Sequence, residues 1–224
     1  MTNAILNSPA DETSEDVADR IARQTLSRRG ADYATEVRRL LDAARSVMRK
    51  CGTQSRPRVS DIVTEAGLSN EAFYRHFRSK DALVSAILDH GAQRLRSYLA
   101  HQMAKERTPE GRVRRWVAGV LSQSKGDVAA TTLAVMWNGG SAGEAMAAGR
   151  HFASAPVAEL LEEPFTALGS NDPVLHASLA AHATLGLLSD HLWQHSVASV
   201  KEVEAVTEFC LRAVGRQTTK ARRA

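Results

Sequence analysis

The chain has 224 residues, 43% of them hydrophobic and 24% charged, enough to bury a substantial core and to hold two subdomains. No run of about twenty apolar residues occurs, which excludes a membrane-spanning helix, and two cysteines cannot supply a disulfide framework, so a reducing cytoplasm is the expected setting. The net charge of +4 is unevenly spread: residues 20–80 hold 14 Lys and Arg against 6 Asp and Glu, whereas residues 81–211 hold 10 against 14.

Residues 1–15 combine several acids and a proline with few large apolar groups, the composition of a disordered segment, and they lack the organisation of a signal peptide. Val17, Ile21 and Leu26 allow a helix from Asp16 to Arg29 that ends in Arg28-Arg29-Gly30, so residues 1–32 read as a flexible or partly helical extension. Arg20, Arg23, Arg28 and Arg29 in it either act as an arm that tracks phosphates or enters a minor groove, or form the solvated face of a short helix. Tyr33, Val37, Leu40, Leu41, Ala44, Val47 and Met48 then recur at three- and four-residue steps, predicting a helix of about 16 residues. Gly52 closes that helix, and Pro57 separates it from the next element. Cys51, beside Arg49 and Lys50, is either a thiol activated for redox sensing or a small half-buried residue near a helix end.

Arg58–Lys80, RVSDIVTEAGLSNEAFYRHFRSK, predicts two short helices around one turn. Ile62, Val63 and Ala66 form one apolar stripe, and Gly67 stands where a left-handed residue ends a helix. Ser69 offers a side-chain oxygen to the first amides of the second helix. Ala72, Phe73, His76 and Phe77 face inward on that helix, leaving Asn70, Glu71, Tyr74, Arg75 and Arg78 outward. A polar, aromatic and basic outer face on a glycine-linked second helix is the geometry of a helix-turn-helix, with its motif at about residues 57–76. The basic excess of residues 20–80 coincides with it, as a phosphate-facing surface requires.

The stretch GLSNEAFYRHFRSKDAL resembles the TetR family of bacterial transcription regulators, through the glycine-leucine-serine turn, the helix ending in Tyr74-Arg75-His76-Phe77, and the following Ser79-Lys80 and Leu83. The resemblance covers about residues 34–94. It implies a DNA-binding domain over that range, with Tyr74 and His76 at positions that contact the DNA backbone. Many members start the first motif helix with a Ser or Thr cap, whereas the matching position here is Arg58. Either Arg58 or Ser60 therefore caps it.

Residue chemistry assigns further roles on that surface. Lys80, in the first turn of a helix capped by Ser79, can hold a phosphate together with that turn's amides. Tyr74 can also lay its ring on a thymine methyl, Asn70 can pair with adenine, and Arg75 with guanine. Glu71 can accept from cytosine N4 or pair with Arg75 one turn on. The candidate DNA-binding set is Arg58, Ser60, Ser69, Asn70, Glu71, Tyr74, Arg75, His76 and Lys80.

A long helix follows from Ser79 through Leu83, Ile87, Leu95 and Leu99 toward Lys105, long enough to connect this domain to the rest. Helices are predicted from Pro109 to near Gly126, from Val128 to about Asn138, from about Ser154 to Leu168, from Pro173 to His195 and from Lys201 to Arg216. Gly139–Gly149 is dense in Gly and Ala. No segment alternates as a strand and no repeat occurs, so the fold class is all-α, with residues 95–216 as a helical effector-binding and dimerisation body and residues 217–224 as a basic tail.

Trp116, Met136, Trp137, Met146, Phe152 and His182 are the candidate ligand-binding residues of that body; singly each suits a core, and as a group they mark an apolar cavity. His191 and His195 have a spacing that could clasp a metal, but no Cys or carboxylate lies at matching spacing, so they read as polar residues near a helix end and no metal or other cofactor is expected. No phosphate loop, nucleophile elbow or zinc-protease signature occurs, and GGSAG at 139–143 lacks the preceding strand of a nucleotide loop.

The expectation is a cytoplasmic homodimeric repressor that binds a palindromic operator in double-stranded DNA and is released by a mainly apolar small molecule. An activator or a protein-responsive regulator of the same fold, and more distantly a helical enzyme acting on a hydrophobic substrate, remain open alternatives.

Overall fold

A computed structural model describes residues 17–138 and 154–215. Among the described residues it contains nine α-helices and no strand. They are α1 (Val17–Cys51), α2 (Val59–Ala66), α3 (Asn70–His76), α4 (Lys80–Met103), α5 (Pro109–Leu121), α6 (Gly126–Asn138), α7 (Ser154–Ala167), α8 (Pro173–Trp193) and α9 (Val200–Gly215), with a 3-10 turn at Ser122–Ser124. Met146, Phe152 and the Gly/Ala stretch lie outside the described residues, as do the first sixteen residues and the basic tail.

Residues 1–39 and 40–224 are separate units. In the first, the expected stop at Gly30 does not occur, and α1 runs unbroken through it. An interior glycine costs a helix about 1 kcal/mol but keeps its N–H and carbonyl in the ladder, so it weakens a helix without ending it. Gly30 adopts no positive φ, whereas Gly52, at the real end of α1, sits at φ 56°.

The second unit holds two apolar clusters. One joins Leu40, Ala44 and Met48 of α1, Ile62, Val63 and Ala66 of α2, Phe73 of α3, and Leu83, Val84 and Ile87 of α4. The larger one joins Leu99 and Met103 of α4 with Val113, Trp116, Val117 and Val120 of α5, Val157, Leu161 and Phe165 of α7, Ala181, Leu188 and Leu192 of α8, and Cys210 and Val214 of α9. α7 and α8 make the most extensive helix pair, and α4 lies along α5 and α7.

α4 therefore serves both clusters, as its length suggested. α6 does so too, which the sequence did not announce. Ala134 and Val135 enter the first cluster, while Leu133 and Met136 belong to the second.

Candidate nucleic-acid interface

The residues around the turn are fixed by local chemistry. α2 starts at Val59, and of the two possible caps it is Arg58 that takes the extended cap conformation, at φ −88° and ψ 166°. Its backbone N–H donates to Asp61 Oδ2 at 2.7 Å, the bond that the third helical residue returns to the cap in a capping box, while the Asp61 N–H turns to the Arg58 carbonyl at 3.2 Å. Ser60 lies inside the first turn, where its carbonyl accepts from Thr64 Oγ1 at 2.8 Å. At the other end Gly67 is left-handed at φ 61° and ψ 39°. The Gly67 N–H bonds to the Thr64 carbonyl at 3.1 Å and the Leu68 N–H to the Val63 carbonyl at 2.9 Å, the paired bonds of a Schellman ending.

Two residues later Ser69 Oγ accepts from the Ala72 N–H at 3.1 Å, and α3 begins. Ala72 and Phe73 are buried, and His76 and Phe77 are half-buried. The Phe73 ring meets Tyr74 edge-on at 5.2 Å and Phe77 at 5.9 Å between centroids. Asn70, Glu71, Arg75 and Arg78 are exposed, and Tyr74 is 58% exposed.

Ser79 Oγ then caps α4 by accepting from the Ala82 N–H at 3.1 Å. Lys80 is placed differently from the expected phosphate clamp on α4's own first turn: its Nζ donates to the Pro57 carbonyl at 3.3 Å. That bond ties the start of α4 to the residue before α2. An ammonium has three donors, so this bond leaves capacity for a phosphate.

The cations behind the motif are matched with acids. Lys50 Nζ lies 2.9 Å from Glu65 Oε1, which also accepts from Ser46 Oγ at 2.8 Å. The Lys50 bond first, and then that of Ser46, hold the Glu65 carboxyl below its ordinary range. Arg49 pairs with Asp127 of α6 at 3.0 Å, and Arg45 pairs with Asp42. An open hollow of about 570 Å3 lined by Arg45, Ser46, Arg49, Lys50 and Thr131 lies here. It includes none of the residues expected to bind a ligand. With Arg49 and Lys50 turned to acids, the two cations beside half-buried Cys51 already have partners.

The expected ligand-binding residues do not share one environment. Trp116 is fully buried, and its Nε1 donates to the Val157 carbonyl at 2.8 Å, which makes it a core residue. Met136 packs half-buried against the same core, and His182 is exposed on α8. Trp137 is half-buried, 6.0 Å from the Trp193 ring between centroids, with the Arg56 guanidinium 5.6 Å over its face. Arg56 was not singled out in the sequence, because its contact joins a loop to a helix distant in the chain. Buried His191 has Nδ1 2.7 Å from Ser196 Oγ and Nε2 3.4 Å from Glu202 Oε1, whereas His195 is exposed in a left-handed turn at φ 51°. The two histidines do not converge, and no group of three or more metal-ligating side chains gathers among the described residues.

Among the described residues no helix is long and apolar enough to cross a membrane. Residues 40–87, from α1 through the first turns of α4, match the family of bacterial regulatory proteins described as the tetR family. No curated protein matches the chain. Among solved structures, a TetR-family transcriptional regulator from Mesorhizobium loti aligns with a TM-score of 0.59 at 18% identity, covering 81% of this chain and 96% of that one. A TetR-family regulator from Vibrio parahaemolyticus aligns at 0.51 and 18% identity, covering 80% and 97%. The reduced form of NemR from E. coli aligns at 0.53 and 17% identity, covering 78% and 95%. At such identities these likenesses concern the fold.

Proposed function

We propose that this chain, a DNA-binding transcriptional regulator of the TetR family, is a homodimeric repressor released from a palindromic operator by a mainly apolar small molecule. The observation that carries the reading is the outer face of α3, where Asn70, Glu71, Tyr74 and Arg75 stand exposed on a helix held at both ends by capped turns. Such a helix offers three or four side chains to base edges in a major groove. In this reading Asn70 pairs with adenine, Arg75 with guanine and Glu71 with cytosine N4. Arg58, Ser60, Ser69, Tyr74, His76 and Lys80 hold the backbone, which supplies affinity without choosing sequence.

One α3 reads only a few base pairs, so useful affinity requires two modules about one helical turn or more apart. The dimer is assigned to α8 and α9. Leu175, Leu179 and Trp193 are exposed on one side of α8, with His182 and Gly186 between them, and Phe209 is exposed on α9. An apolar stripe of that kind suits a symmetric four-helix interface.

For the effector, the sealed position of Trp116 leaves Met136, Trp137 and His182 as the described candidates in the body between residues 95 and 195. α4 and α6 each belong to both apolar clusters, so a ligand that favours one arrangement of them changes the placement of α3. The coupling expected is about 1–3 kcal/mol, and operator DNA must lower ligand affinity by the same factor.

Selection of bound fragments from the source genome, followed by footprinting, tests this reading. It predicts two protected half-sites related by two-fold symmetry. Random recovery of fragments, or protection of one isolated half-site, would overturn it. An effector then has to lower the affinity for the recovered fragment, and turnover of that compound by the protein would point instead to an enzyme.

A further inference from the structure

The helical extension at the start of α1 presents a basic face that the helix-turn-helix does not account for. All side chains from Asp19 to Tyr33 are exposed on an uninterrupted helix. At about 100° per residue, Arg20, Arg23, Gln24, Ser27 and Arg28 fall within an arc of about 140°. Asp19 and Asp32 lie just outside that arc, one turn from Arg23 and from Arg28, so the face carries three arginines with one acid at each edge. Leu26 and Ala22 lie on the opposite side, together with Arg29. From Arg20 to Arg28 the face is about 12 Å long.

We infer that the face formed by Arg20, Arg23 and Arg28 is a second DNA-binding surface that holds phosphates irrespective of sequence. The inference rests on the DNA-binding reading above, which supplies duplex DNA as the occupant. Charge complementarity carries the rest: guanidinium groups bind phosphate oxygens through forked donors, and duplex DNA presents one negative charge per about 1.7 Å of axis. Gln24 and Ser27, between the arginines, add neutral donors of the kind that also bond phosphate oxygens. A helix start alone would bind one anion through its amides, whereas this surface runs along two turns of side chains.

The test is fluorescence anisotropy on the full chain and on a variant carrying Arg20→Gln, Arg23→Gln and Arg28→Gln. Each is titrated with a selected operator duplex and with a random duplex at several salt concentrations. The variant should lose at least about tenfold in affinity on both duplexes, by the same factor, and the slope of log affinity against log salt should shrink by about 2–3. Lysines at the same three positions should restore most of the slope, and circular dichroism should show the helix content unchanged. An unchanged slope in a variant whose wild type binds both duplexes overturns this inference and leaves the DNA-binding reading standing. Loss on the operator alone also overturns it, because that would be base reading. Loss of binding only to vesicles of anionic lipid, with both duplexes bound as before, would assign the face to membranes instead. A wild-type chain that binds neither duplex removes both readings.

Discussion

Gly67 holds the turn between α2 and α3 in a conformation, φ 61° and ψ 39°, that a side chain with a Cβ resists. Gly67→Ala should therefore lower stability by about 1–2 kcal/mol in a urea titration, by strain alone. Lys80→Ala should weaken binding to all DNA sequences about equally, since both its bond to the Pro57 carbonyl and the phosphate contact proposed for it serve position rather than base choice. Cys210 gives a pH signature: burial pushes its thiol from 9.0 up to about 11. Between those values the folded chain keeps a proton that the unfolded chain has lost, so stability falls as pH rises from about 9 toward 11. Alkaline denaturation of wild type against Cys210→Ala should show that decline only in the wild type. The caps at Ser69 and Ser79 and the glycine turn were legible in the sequence because each bond spans three to five residues. The destination of Lys80 and the Arg56–Trp137 contact were not, because each spans dozens of residues and depends on how helices meet.

At the scale of elements, helical periodicity located the helices well and misjudged one boundary. Gly30 read as a stop because glycine commonly follows helices, yet a glycine that closes a helix takes the left-handed backbone of Gly52 and Gly67, and Gly30 does not. The same periodicity could not tell Trp116 in a core from Trp116 in a cavity, since both demand an apolar ring on an inward face. In the structure the ring is fully buried and its Nε1 donates to the Val157 carbonyl. Trp116→Ala should cost about 3–5 kcal/mol in chemical denaturation, the range for deleting a large buried aromatic ring. A loss under 1 kcal/mol would mean that the site is an open cavity after all. α6 was legible as a helix but not as a bridge. Ala134 and Val135 look like ordinary filler, and only packing shows that they complete the core under α2 and α3 while their neighbours face the body.

In the proposed dimer, α3 of each copy reads DNA and the body holds the two copies together. If α8 supplies the pairing surface, Leu175→Glu with Leu179→Glu should yield a monomer in sedimentation at micromolar concentration and weaken operator binding, while helix content stays unchanged. A wild type that is already monomeric would remove the dimer. In the proposed function the outer face of α3 chooses the sequence. That choice is tested most directly by titrating a selected operator duplex and a scrambled one with wild type and with Asn70→Ala combined with Arg75→Ala. The account predicts that the wild type prefers the operator and that the variant loses most of that preference, about 1–3 kcal/mol for each paired contact, while keeping its affinity for scrambled DNA to within a few fold. Equal discrimination by both proteins would contradict it.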